Sequence, residues 1–137
     1  MLRESPYLCA YAFDPGDSTG MAYASYAYGD ELSVRTMTQE ELITYLDDVA
    51  SRDTVVFYET FVSRPALFSR RQVAPENIGV IKLWAHISGA VLLRVSPSET
   101  HRIKREDLKA AGWKWSTEHE FDAIRIMVYG LTMLRYR

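Results

Sequence analysis

The sequence is poor in cysteine: its 137 residues include one, Cys9. An internal disulfide is excluded, and a reducing compartment fits. No polar activating residue adjoins Cys9, so it reads as a small buried hydrophobe rather than a nucleophile. Long hydrophobic runs are lacking too. No stretch approaches the roughly 20 apolar residues that a membrane helix needs. The opening MLRESPYL has no apolar signal-peptide core. The expectation is a cytoplasmic protein with no membrane partner. Repeats, low-complexity tracts and linkers are absent as well, so one domain over 1–137 is expected, long enough to bury a real core. Overall charge of one sign is missing, the net value being −2. The two halves nevertheless differ. Residues 1–62 carry 3 Lys/Arg against 11 Asp/Glu, and residues 63–137 carry 13 against 7. Such asymmetry points to a polyanion met by the second half, although a solvated surface can show the same pattern.

What is present centres on Tyr7–Gly20, YLCAYAFDPGDSTG. An apolar run without alternation suits a strand covered on both faces. It ends on Asp14 and enters the turn residues Pro15-Gly16 and Asp17–Gly20. A carboxylate at the end of a central strand, beside a loop with free backbone donors, is placed to hold a cation or a phosphate.

The remaining elements follow in order. Met21–Tyr28 and Leu32–Met37 read as strands joined at Gly29-Asp30, making an antiparallel meander with the first. Thr38-x-x-Glu41 is a capping box that opens a helix with Leu42, Tyr45, Leu46 and Val49 on its apolar face. Thr54–Val62 is strongly β-prone apart from Glu59, which must face solvent or find a partner. Residues 63–75 are polar and basic, a loop or short helix. Glu76–Ser88 is a helix closed by Gly89, and Val91–Val95 is a fifth strand. A short helix over Lys104–Ala111 ends at Gly112. Thr117-x-x-Glu120 caps a last helix carrying Phe121, Ile124, Val128 and Leu131 on one stripe. The order β-β-β-α-β-α-β-α predicts an α/β protein with a mixed five-stranded sheet, the element order of the RNase H-like fold.

Local rules account for some acids. Glu120 belongs to the capping box, and Glu118 offsets the helix dipole. Asp122 lies beyond capping reach and can share a helix side with His119. Asp14, Glu59, His119 and Asp122 therefore stay as candidates for one site. Hard divalent ions prefer carboxylate oxygens, and a pair of them can clamp a phosphodiester during in-line displacement. The plainer reading stands beside this one: Asp14 as a turn-former, and Asp122 paired with Arg125.

Three segments resemble a known family. Phe13–Gly16 followed by Ser18–Ala22 resembles the DPG…TG-A signature that opens RuvC-type Holliday junction resolvases, especially short phage and bacterial forms. Val55–Glu59 resembles their second motif, a strand ending in a catalytic Glu. His119–Arg125 resembles their closing helix motif, H-x-x-D-A-x-R. The likeness runs from residue 7 to about 130.

The resemblance implies a Mg²⁺- or Mn²⁺-dependent nuclease, with a two-metal site, that nicks branched DNA as a homodimer in the cytoplasm of a bacterium or a phage-infected host. Asp14, Glu59 and Asp122 would be the ligand carboxylates. His119 would take a position held by Asp or His, where His shifts preference toward a transition ion. Lys104 would sit near the scissile phosphate, with Arg102 and Arg105 as supporting contacts. Arg70 and Arg71 would be further phosphate contacts, and Phe61 would be either a wedge at the junction centre or core filler. One departure matters. The family's longer Gly- and Lys-containing stretch is compressed here to Ala110–Ser116, with Trp113 and Trp115. This leaves room for flaps, forks or single-stranded branches as well as four-way junctions. Each tryptophan reads either as a stacking surface for unpaired bases or as packing against the basic helix. The alternative to an enzyme is an RNase H-like module that binds branched nucleic acid or a protein without cutting. A nucleotide-binding hydrolase or kinase-like fold using DPG-S-T-G lacks a second phosphate loop.

Overall fold

A computed structural model describes residues 7–25, 31–48, 53–59, 73–96, 100 and 102–135. Strands β1 (Cys9–Asp14), β2 (Thr19–Ser25) and β3 (Glu31–Met37) form the antiparallel meander. β4 (Thr54–Glu59) and β5 (Val91–Val95) lie parallel on the other side of β1. The sheet order is β3-β2-β1-β4-β5, the mixed arrangement expected from the sequence. The helices are α1 (Gln39–Asp48), α2 (Val73–Ser88), α3 (Arg105–Ala110) and α4 (Glu118–Arg135).

β1 lacks alternation because both of its faces are covered. Tyr11 and Phe13 pack with Leu42 and Leu46 of α1 and with Ile81, Trp84 and Ala85 of α2. Ala10 and Ala12 face the other layer, where they join Ala22 and Ala24 of β2 beneath Ala123, Ile124, Met127 and Leu131 of α4. Alanines on that face let α4 ride close to the sheet. The approach is tightest at two glycines. A Cβ on Gly20 would overlap the backbone of His119, and one on Gly130 would overlap the Phe57 ring.

The caps behave as the sequence predicts. Thr38 Oγ1 accepts the Glu41 N–H at 3.2 Å, and Glu41 Oε1 accepts the Thr38 N–H at 3.2 Å, a complete capping box. α2 ends on Gly89 at φ 75°, with the Ala90 N–H returning to Ala85 O.

Several boundaries differ from expectation. β2 begins at Thr19, inside the predicted turn, because Thr19 and Gly20 pair with Met37 and Thr36 of β3. α2 begins at Val73 and takes Pro75 into its first turn, where a missing N–H is harmless. On α4, Met127 is fully buried whereas Val128 is only partly so. Cys9 is half-buried, its thiol 3.7 Å from the Tyr23 hydroxyl and 3.6 Å from that of Ser25. The predicted turn at Gly29-Asp30, and the strand ends beyond Ser25 and Glu59, lie outside the described residues.

Candidate active site

Register decides where the acids go. β1 and β4 run parallel, with Ala12 beside Phe57 and Phe13 beside Tyr58. The next pair of positions holds Asp14 and Glu59, each the last residue of its strand. Side chains alternate along a strand. Ala12 and Phe57 belong to the layer under α4, so Asp14 and Glu59 fall on that face too. One strand end thus presents two carboxylates toward the start of α4.

A polar network anchors that start. Thr117 Oγ1 caps the Glu120 N–H at 3.1 Å. Glu120, nearly fully buried, accepts the Ser116 N–H at 2.9 Å and the Thr36 hydroxyl of β3 at 2.9 Å. Thr36 and Thr117 share a further hydrogen bond of 2.7 Å. Glu120 thus departs from the predicted capping box, since its carboxylate takes the Ser116 N–H rather than that of Thr117, and it also ties α4 to the sheet. With Gly20 holding the backbone of His119 against β2, the His119 ring reaches Asp14, Nδ1 lying 3.4 Å from Oδ2.

Electrostatics join the third acid to the set. The Asp14 carboxyl is pushed up to about 6, first by burial and next by the charge of Asp122, with Glu59 adding to it and the His119 contact opposing. Asp14 therefore lies in the field of both other candidates. Asp122 is paired with Arg125 one turn on, as the plainer reading anticipated. Glu59 accepts the Thr100 hydroxyl at 3.3 Å. Among the described residues, no three His, Cys, Asp or Glu side chains converge closely enough to hold a metal ion. By chemical type, though not by their spacing here, these acceptor-rich carboxylates are donors that a hard divalent cation prefers, and their mutual repulsion is what a cation would relieve. Arg125 supplies part of that relief here.

No protein-family model matches the chain, and no curated protein matches it. Solved structures do. A Thermus thermophilus RuvC in complex with a Holliday junction substrate superposes with a TM-score of 0.62 at 14% identity, covering 88% of this chain and 90% of that one. Another Thermus thermophilus RuvC structure gives 0.56 at 16% identity, over 86% and 90%. The Fowlpox virus resolvase, in complex with its Holliday junction DNA, gives 0.57 at 13%, over 93% and 99%. The chain shares the RNase H-like fold of these resolvases.

Within this RNase H-like frame the basic candidates separate. Lys104 is exposed at the N-cap of α3. It follows Thr100, which touches Glu59 and accepts the Ile103 N–H, so this segment departs from the acid cluster. Arg102, within the same segment, is exposed. Arg105 is exposed but already has partners: it grips Glu118 at 2.8 and 3.0 Å and lies 4.0 Å over the Phe121 ring. Phe61, Arg70 and Arg71 lie outside the described residues.

One residue went unnoticed in the sequence. Asn77 of α2 is fully buried, and its amide donates to Gly16 O and to Thr19 Oγ1, both at 3.1 Å. Its carbonyl oxygen accepts from Gln39 of α1 at 3.1 Å. Asn77 thereby pins the loop that follows Asp14. A polar residue on a helix interrupted by Pro75 and Gly79 carries no periodic signal, and only the fold reveals it.

Proposed function

We propose that the chain is a divalent-metal-dependent, structure-selective endonuclease that nicks branched DNA, four-way junctions foremost, as a homodimer. The observation that carries this is the shared field of Asp14, Glu59 and Asp122, drawn from two adjacent strand ends and one helix in an RNase H-like sheet. Likeness to resolvases solved with Holliday junctions supports the substrate class.

In this reading Asp14, Glu59 and Asp122 would hold Mg²⁺ or Mn²⁺, and His119 would join them or carry a proton at Nδ1, the atom that faces Asp14. Bound there, the ions would polarise the scissile phosphate and lower the pKa of an attacking water. The chain's own part is positioning. Gly20 and the Thr36–Thr117–Glu120 network fix His119 and Asp122, while Asn77 fixes the loop after Asp14. Lys104 and Arg102 would contact DNA phosphates, with binding that weakens steeply as salt rises. Two-fold symmetry of a four-way junction calls for two such sites in a dimer.

The test is nicking of a synthetic four-way junction in Mg²⁺ or Mn²⁺. Asp14→Asn should reduce it to background, and full activity in that variant would refute the mechanism. One observation favours a non-cutting binder: Asp122 is already neutralised by Arg125. Tight junction binding, with no heat of Mg²⁺ or Mn²⁺ binding in calorimetry and no cleavage, would decide for that reading.

A further inference from the structure

The connection between α3 and α4 builds a cleft that the acid site does not use. α3 ends in a Schellman motif: Gly112, at φ 95°, donates to Lys109 O at 3.1 Å, and Trp113 donates to Leu108 O at 3.1 Å. This reversal drops Trp113 into the core beside Leu108. The next two residues then fall differently, Lys114 exposed and Trp115 half-buried. One neighbour of the Trp115 ring is Phe121, 5.2 Å away and tilted by 39°, and the Lys109 ammonium stands 5.8 Å from its centroid. Arg105, Lys109, Lys114, Trp113 and Trp115 line an open cleft of about 480 Å³, a size that suits a small ligand. The acids of α3, Glu106 and Asp107, belong to its first turn and do not line it.

We propose that this cleft is a subsite for an unpaired nucleotide of branched DNA, its base on the Trp115 ring and its phosphates on Lys109 and Lys114. The inference rests on reading the chain as a protein that acts on branched DNA. A paired base is already stacked above and below, so only an unpaired one can offer its face to an aromatic ring. Lys109, whose ammonium stands over that ring, and Lys114, which lines the same cleft, are the cations placed to meet the backbone of a stacked base. Arg105 links the cleft to the acid cluster: it grips Glu118, whose neighbour His119 touches Asp14. A nucleotide seated here would adjoin the nicked strand, which adds flaps and splayed forks to the substrates expected beside four-way junctions.

The experiment measures binding in EDTA, where no metal site contributes. Oligothymidylate and a blunt duplex of two complementary strands are titrated against the full chain while tryptophan fluorescence is followed. Single strands should quench the wild type. Trp115→Ala should weaken single-strand binding by roughly 10-fold while changing duplex binding little, and Trp115→Phe should restore most of the affinity. Lys114→Glu, an exposed change that leaves the core untouched, should also weaken single-strand binding and flatten its salt dependence. Absent quenching, equal losses on both DNAs, or an indifferent Lys114→Glu would overturn the subsite. A chain that nicks junctions without a Trp115 effect loses only the subsite, and one that binds single strands through Trp115 but never nicks loses only the nuclease.

Discussion

Gly20 lies flush against the backbone of His119, and nothing larger than hydrogen fits between β2 and the first turn of α4. Because Gly20 is also the register partner of Asp14, one contact sets the height of the helix and the reach of its histidine. Gly20→Ala should push the helix start outward, cost about 1–3 kcal/mol, and abolish nicking. Gly79→Ala is the matched control. A Cβ there meets nothing within 4 Å in a helix interior, so thermal melting should show a gain of about 1 kcal/mol.

Asp14 should oppose folding at neutral pH. Its folded value of about 6 lies above the ordinary 3.8, so between those values the folded chain holds more protons than the unfolded one. Stability should therefore fall as pH rises from 3.8 through about 6, and stay reduced above. Asp14→Asn removes this penalty. Its melting temperature should exceed that of wild type near neutral pH, by at most about 3 kcal/mol of stability, and the difference should vanish in acid. A melt series across pH reads this directly.

Arg125 should act as a stand-in for a cation. Arg125→Gln leaves Asp122 without its partner beside Asp14 and Glu59. The metal-free protein should lose about 1–3 kcal/mol. Mg²⁺ or Mn²⁺ should then raise its melting temperature more than it raises that of wild type. Equal shifts in the two proteins would disprove the substitution.

Asn77→Ala removes two donors and an acceptor from a buried site, leaving Gly16 O and Thr19 Oγ1 without them. A loss of about 2–3 kcal/mol is expected. Nicking measured well below the melting point should fall further than the unfolded fraction explains, because the loop after Asp14 is no longer held.

The mixed sheet, an antiparallel meander followed by parallel strands, was legible because each strand carried a plain signal. The unbroken run of β1 announced two covered faces, and the Thr38 and Thr117 caps marked the starts of α1 and α4. Asp14, Glu59, His119 and Asp122 could be singled out as acids and a histidine that local rules left unexplained. What stayed hidden depends on contacts across the chain. Arg105 reads in sequence as a phosphate contact, and its pairing with Glu118 and its place over the Phe121 ring emerge only from the fold. Trp113 and Trp115 were ambiguous because the left-handed turn at Gly112, not their spacing, decides which one is buried. Asn77 is silent in sequence since its partners come from β2, α1 and the loop after Asp14.

The alanine floor of β1 and β2 carries one more consequence. A helix resting on methyl groups, pinned by Gly20 at one end and notched by Gly130 over Phe57 farther along, has no ridge to slide across. Sliding or tilting α4 is therefore a poor way to rearrange the acids. Exchange of Asp122 between Arg125 and an incoming ion should be a matter of side-chain torsions, proceeding at rotamer speed rather than on the slow clock of moving layers.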